Sequence, residues 1–318
     1  MAAKKCEWTN QRLAFAGFAG FAEKTQSAGH IRPLHWYVAC RLVLEGGFDP
    51  DHIKPRPPFR IGKKRNGLPL LQFDPSSAGG GEAAVLGGLK TKRVDVVVSR
   101  PGVGPVLAVS CKGTTAAFRN LTNRMEELIG DCTNLHIAYP TLVLGYLHLL
   151  RANRRIGDVL EEVAELEEQG EVDTKRLLTA NDLAFEQGNE PVAEIKRFHN
   201  AIERLAGRSG VRDDITRYEA IGLALVETEG DDVGGSVAGF PADDSPLRVE
   251  RFFDTLYAQY DERFVYGAPM LEPITRRLEW SPDSPALTAV EADYPPRLGI
   301  PKNASKPAEQ EQGTAASD

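Results

Sequence analysis

The feature that most restricts this chain is the run from Val94 to Glu127, VDVVVSRPGVGPVLAVSCKGTTAAFRNLTNRMEE. The nearly continuous β-branched residues Val94–Ser99 predict a strand. Pro101-Gly102-Val103-Gly104-Pro105 is a turn composition, and Val106–Lys112 reads as the partner strand of a hairpin. Gly113-Thr114-Thr115 leads into a helix, with Thr114 or Thr115 as its N-cap. Phe118, Leu121, Met125 and Leu128 recur at helical spacing and predict its buried stripe. Gly130 is expected to end the helix, and Thr141–Leu150 predicts a further strand. Alternation along a strand puts Ser110 and Lys112 on one face and Cys111 on the other. Asp95 stands alone among valines, and a buried carboxylate is costly unless paired. Lys112 is the cation the hairpin offers it.

Around this run the chain alternates between helical and extended patterns. Residues 8–24 and 33–46 read as helices, the second opened by Pro33 and closed by Gly46-Gly47. Residues 49–60 hold four prolines and are expected to be irregular. Arg60–Ile61 and Leu68–Phe73 predict a hairpin turned by Asn66-Gly67. Residues 75–81 read as a loop and Glu82–Leu86 as a single helical turn. Beyond Arg151 an acidic amphipathic stretch (158–170) precedes a helix at 191–206, a strand at 218–227 and a helix at 246–260. After about residue 278 the chain thins into Pro, Ser and Asp, and its last residues carry a disordered composition. The expected organisation is residues 1–150 as the core, 151–275 as an extension packing on it, and 276–318 as linker and disordered tail.

Composition removes several alternatives. No apolar run reaches the roughly 18–20 residues of a membrane helix, and a cytoplasmic protein is expected. The four cysteines form no Cys-x-x-Cys pair, which argues against a zinc knuckle. GGLKT at 87–91 lacks the spacing of a phosphate-binding loop, and no Gly-x-Ser-x-Gly elbow occurs. Net charge is −7, yet bases concentrate at 54–65 and 90–93, read either as solvated loops or as a basic rim to a site.

Asp95, fourteen intervening residues and then Ser110-Cys111-Lys112 resemble the PD-(D/E)XK nuclease superfamily. Its usual pattern is an acid at the start of one strand, a turn, then acid-x-Lys on the next. Here Ser110 stands where the second acid is usual. Some superfamily members with Ser-x-Lys carry that acid on the following helix, and Glu126 follows Lys112 after thirteen residues. The resemblance spans about residues 82–150. It implies an α/β, restriction-endonuclease-like mixed central sheet flanked by helices, with an additional mainly helical C-terminal portion. It implies a Mg²⁺-dependent DNA endonuclease of restriction or defence type, acting on double-stranded DNA as a homodimer. Asp95, Ser110, Lys112 and Glu126 would be catalytic. Asp95 and Glu126, with Glu82, would hold the metal, and Glu127 is the alternate to Glu126. Lys63, Lys64, Arg65, Lys90, Lys92, Arg93 and Asn120 would contact nucleic acid. Two other expectations stand beside this one: an inactive nucleic-acid- or partner-binding protein on a nuclease-like fold, and an unrelated α/β protein in which Asp95–Lys112 is a structural ion pair. His35 and His148 are expected as surface, core or edge histidines, and the reading of His136 stays open.

Overall fold

The computed structural model describes residues 6–21, 28–154, 178–186 and 189–301. The amphipathic stretch 158–170 and the disordered tail expected from composition lie outside the described residues, the latter beyond residue 301. The fold is mixed α/β, with a central sheet between helical layers. Its core elements are α1 (Gln11–Ala19), α2 (Arg32–Leu44), β1 (Ile53–Lys54), a first hairpin β2 (Phe59–Arg65) and β3 (Leu68–Phe73), and a second hairpin β4 (Ala83–Leu86) and β5 (Thr91–Val94). There follow β6 (Val96–Arg100), β7 (Gly104–Thr114), α3 (Leu121–Ala138), β8 (Val143–Arg151), α4 (Ala193–Glu203), β9 (Ala220–Val226) and α5 (Val249–Tyr260). The main sheet has the order β1-β6-β7-β8-β9. β1, β6 and β7 pair antiparallel, whereas β8 and β9 join in parallel.

Side-chain alternation separates two cores. Val98, Val109, Leu147 and Ala224 face α1, α2 and α5, which contribute Phe15, Phe18, Leu42, Phe252 and Leu256. Val97, Ala108, Tyr146 and Leu223 face α3 and α4, which contribute Leu128, Leu135, Phe198 and Ile202. Both faces being covered, β9 is buried along its whole length and β8 all but its last residue, as expected of strands paired in parallel. α5 lies very close to the sheet. A Cβ on Gly145 would sit 2.7 Å from the Phe252 ring and 3.2 Å from Leu256.

The Asn66-Gly67 hairpin forms as predicted, with both residues at positive φ (53° and 85°). Several boundaries differ from expectation. Glu82–Leu86 is no helical turn: Ala83–Leu86 pairs with Thr91–Val94, and the connecting turn is pinned by Asn134, whose Oδ1 accepts from Leu89 and Lys90 N–H. α3 runs past Gly130 to Ala138, because Cys132 and Leu135 continue its buried stripe and outweigh the glycine's ~1 kcal/mol propensity cost. Neither Thr114 nor Thr115 caps it; the helix begins at Leu121 after a short 3-10 turn. The proline-rich stretch contains β1, a two-residue edge strand placed where no proline has to donate.

The segment from 276, expected as linker, packs instead as far as it is described. Trp280 is fully buried and donates its indole N–H to the Val43 carbonyl at 2.8 Å. Arg297 N–H donates to the Leu44 carbonyl at 2.8 Å, so this segment closes over the end of α2. Among the described residues no helix is long and apolar enough to cross a membrane.

The tight seat of α5 yields a direct test. Gly145→Val should lower unfolding free energy by about 1–3 kcal/mol through overpacking, read as a fall in urea midpoint at unchanged m-value.

Candidate functional site

The predicted strand over Val94–Ser99 is broken at Asp95. Thr91–Val94 belongs to the outer hairpin and Val96–Arg100 to the main sheet. Asp95 occupies the bend where the chain passes from one to the other, and it is only 5% exposed. Its burial is compensated by β7. Asp95 Oδ2 accepts from Cys111 N–H at 2.8 Å, from Ser110 Oγ at 3.2 Å and from Lys112 Nζ at 3.2 Å. The alternation that sends Cys111 into the opposite core leaves its amide, and the side chains either side of it, aimed at one carboxylate oxygen. Asp95, Ser110 and Lys112 are therefore brought together as expected.

Burial works against the charge of Lys112, but the Asp95 charge and hydrogen bond outweigh it and raise its pKa. Lys112 is thus a fixed ammonium, suited to stabilising negative charge and unsuited to taking a proton. The other oxygen, Asp95 Oδ1, lies 3.7 Å from His35 Nε2 on α2. Burial depresses the His35 pKa, the Asp95 charge opposing that only in part. His35 Nε2 is buried without a hydrogen-bond partner. A neutral imidazole nitrogen and a carboxylate oxygen, neither hydrogen-bonded among the described residues, face each other beside Lys112.

The helix acids fall differently from expectation. Glu126 is on the exposed side of α3. Glu127, one residue on, is half-buried and close enough to Lys112 for each charge to act on the other. Partial burial raises the Glu127 pKa, yet the Arg124 hydrogen bond and the Lys112 charge bring it below the usual carboxylate range. A step of one residue turns about 100° around a helix, and the phase set by Leu128, Cys132 and Leu135 points Glu127 and Asp131 towards β5 and β7. Asp131 pairs with Lys92 at 2.5 Å.

Glu82 is half-buried and lines a cleft of about 640 Å³ with Trp8, Arg32, His35, Trp36 and Arg93. His35 connects that cleft to Asp95. The expected basic residues disperse. Lys63 and Lys64 are exposed near the tip of the first hairpin, and neighbouring Arg65 pairs with Asp283 at 3.2 Å. Lys90 is exposed in the second hairpin's turn, Arg93 opens onto the cleft, and Asn120 is exposed at the start of α3. From sequence His35 was expected as a surface or core histidine, and Arg32 and the two tryptophans were given no functional role. The available signal was a histidine on a helix face otherwise committed to the core.

His136 and His148 are structural. His136 is buried beside Glu219, which pairs with Arg208 at 2.8 Å and Arg263 at 2.7 Å. His148 is buried between Thr114 Oγ1 (2.9 Å) and the Tyr146 hydroxyl (2.7 Å), directly beside Lys112 in the β7–β8 register.

Among the described residues no three His, Cys, Asp or Glu side chains converge. Mg²⁺ keeps most of its waters and takes one or two carboxylates; the carboxylates beside Lys112 are Asp95, in contact with it, and Glu127, whose charge acts on it. No family model, curated protein or solved structure matches the chain.

Burial pushes His148 from its ordinary 6.5 down to about 3. Between those values the unfolded chain binds a proton that the folded one refuses. Its contribution to stability is therefore complete above about 6.5 and is lost as pH falls towards about 3. Urea midpoints should drop below neutral pH with a slope approaching 1.4 kcal/mol per pH unit from this group, about the value of one pKa unit, and His148→Gln should flatten the slope.

Proposed function

We propose that this chain is a metal-dependent phosphodiester hydrolase acting on DNA, on a restriction-endonuclease-like core. The observation that carries the reading is the meeting of Asp95, Ser110 and Lys112 on an antiparallel hairpin that continues into a helix and a parallel strand. Glu127 lies across from Lys112, and the Arg32–Arg93 cleft opens beside it. A divalent cation, when bound, polarises the phosphate and lowers the pKa of a water. Asp95 Oδ1 and Glu127 would hold it. Lys112 places a permanent positive charge where a phosphate gains negative charge in the transition state. Ser110 donates to Asp95 Oδ2 and fixes the rotamer that leaves Oδ1 free. The serine is therefore a positioning residue, and the second carboxylate comes from the helix at Glu127 in place of the expected Glu126.

A second reading has its own support. Asp95 Oδ2 is fully occupied by three donors, as in a purely structural pair, which suits a protein that binds nucleic acid without cutting it.

Incubation of single-stranded and supercoiled DNA with Mg²⁺ or Mn²⁺ separates the two. Cleavage is expected with both ions. Glu127→Gln should reduce the rate by about 10- to 100-fold, the scale on which a metal site responds to loss of a supporting group, and Glu126→Gln should change it less than about twofold. Binding without cleavage under either metal would select the second reading, and equal loss in both glutamine variants would remove the assignment of Glu127.

A further inference from the structure

The cleft beside Asp95 has a lining that phosphodiester hydrolysis alone does not require. Trp8 and Trp36 are half-buried in it. Neither takes part in a ring stack or cation–π contact among the described residues, whereas Trp280 is buried and hydrogen-bonded. Arg32 and Arg93 are exposed on the same cleft, and neither has a carboxylate partner among the described residues. Exposed arginines without an acid partner among the described residues occur elsewhere too, at Arg119, Arg197 and Arg212; Arg32 and Arg93 differ in sharing one cleft with two indoles. Two half-buried indoles and two exposed guanidiniums without a carboxylate partner among the described residues thus line one opening, whose inner wall is His35 against Asp95.

We infer that this cleft takes unpaired nucleotides of a single strand, the bases against Trp36 and Trp8 and the phosphates against Arg32 and Arg93. The inference rests on the hydrolase reading for its place beside the reacting groups, and names the substrate class of that site. Aromatic faces bind any base by stacking, and guanidiniums neutralise the backbone; together they are the chemistry of single-strand recognition. The volume agrees. About 640 Å³ lies in the range of sites that enclose small-molecule-sized ligands, about 300–1,000 Å³. That holds a nucleotide or two and excludes a duplex, whose major groove alone is about 12 Å wide. Glu82 is the one acid on the lining, on the same hairpin as Arg93. A duplex would have to open locally, or present an end, to reach Asp95.

Binding can be read without cleavage. The full chain in EDTA is titrated with an oligothymidylate of about eight nucleotides, within the usual site sizes, and separately with the same length as a blunt duplex. Two of the three tryptophans line the cleft, so intrinsic fluorescence reports occupancy. The single strand should quench it and bind at least tenfold tighter than the duplex. Arg32→Glu and Arg93→Glu, both at exposed positions, should each weaken the single strand about tenfold or more while far-ultraviolet circular dichroism stays unchanged. Trp36→Ala should weaken it to a similar degree, with Trp36→Phe restoring most of the affinity. Duplex binding as tight as single-strand binding, or affinities unmoved by both charge reversals, overturns the inference. Asp95-dependent cutting of duplex that the single strand fails to inhibit overturns it while leaving the hydrolase intact. Single-strand binding without any cleavage under Mg²⁺ or Mn²⁺ leaves the cleft assigned and removes the hydrolase.

Discussion

A single buried carboxylate ties the outer hairpin, the main sheet and α2 together. Asp95 sits at the bend joining the outer hairpin to the main sheet, where a regular strand would have left it facing one core or the other. Removing a charge from water costs several kcal/mol unless it is paired and hydrogen-bonded. The Cys111 amide, Ser110 and Lys112 supply that compensation to one oxygen only. The second oxygen meets an imidazole at 3.7 Å. An ion pair serving stability alone has no need of a half-satisfied carboxylate beside an orphaned nitrogen, so the asymmetry of Asp95 is the strongest physical argument for a reaction centre.

The two layers of helices act on this centre from opposite sides of the sheet. α2 delivers His35 and is itself held by Trp280 and by the backbone of the segment around Arg297. α3 delivers Glu127 and is tied to the second hairpin through Asn134 and the Lys92–Asp131 pair. The hairpin, in turn, carries Glu82 and Arg93 to the cleft. The polar line Thr114–His148–Tyr146 runs beneath Lys112 within the sheet and satisfies hydroxyl and imidazole groups that would otherwise be stranded in the core.

Much of this was legible in the residues. The order strand, turn, strand, helix, strand follows from β-branched runs, a Pro-Gly turn and one apolar stripe. The Asn66-Gly67 hairpin follows from its turn chemistry. The convergence of Asp95, Ser110 and Lys112 follows from two-residue alternation on a hairpin. What failed to show depended on tertiary contacts. The β4–β5 hairpin exists because Asn134, more than forty residues away, accepts from its turn. The choice between Glu126 and Glu127 depends on where α3 starts, and the 3-10 turn at Phe118–Asn120 shifts that phase. His35 reaches Asp95 from sixty residues upstream, and no local pattern announces such a contact. The packing of the segment after 276 rests on a few large residues in a polar, proline-rich stretch, whose composition resembles a linker.

The central claim is that the Asp95–Lys112 pair is kept for chemistry and at some cost to the fold. Replacing both partners together by neutral groups of similar size measures this most directly, because a buried pair exchanged as a unit is often neutral or stabilising, whereas breaking it is not. The double variant Asp95→Asn/Lys112→Met should unfold at the same or a higher urea midpoint than the parent chain and show no DNA cleavage with Mn²⁺. A double variant that loses several kcal/mol of stability, or one that still cuts DNA, would contradict the account.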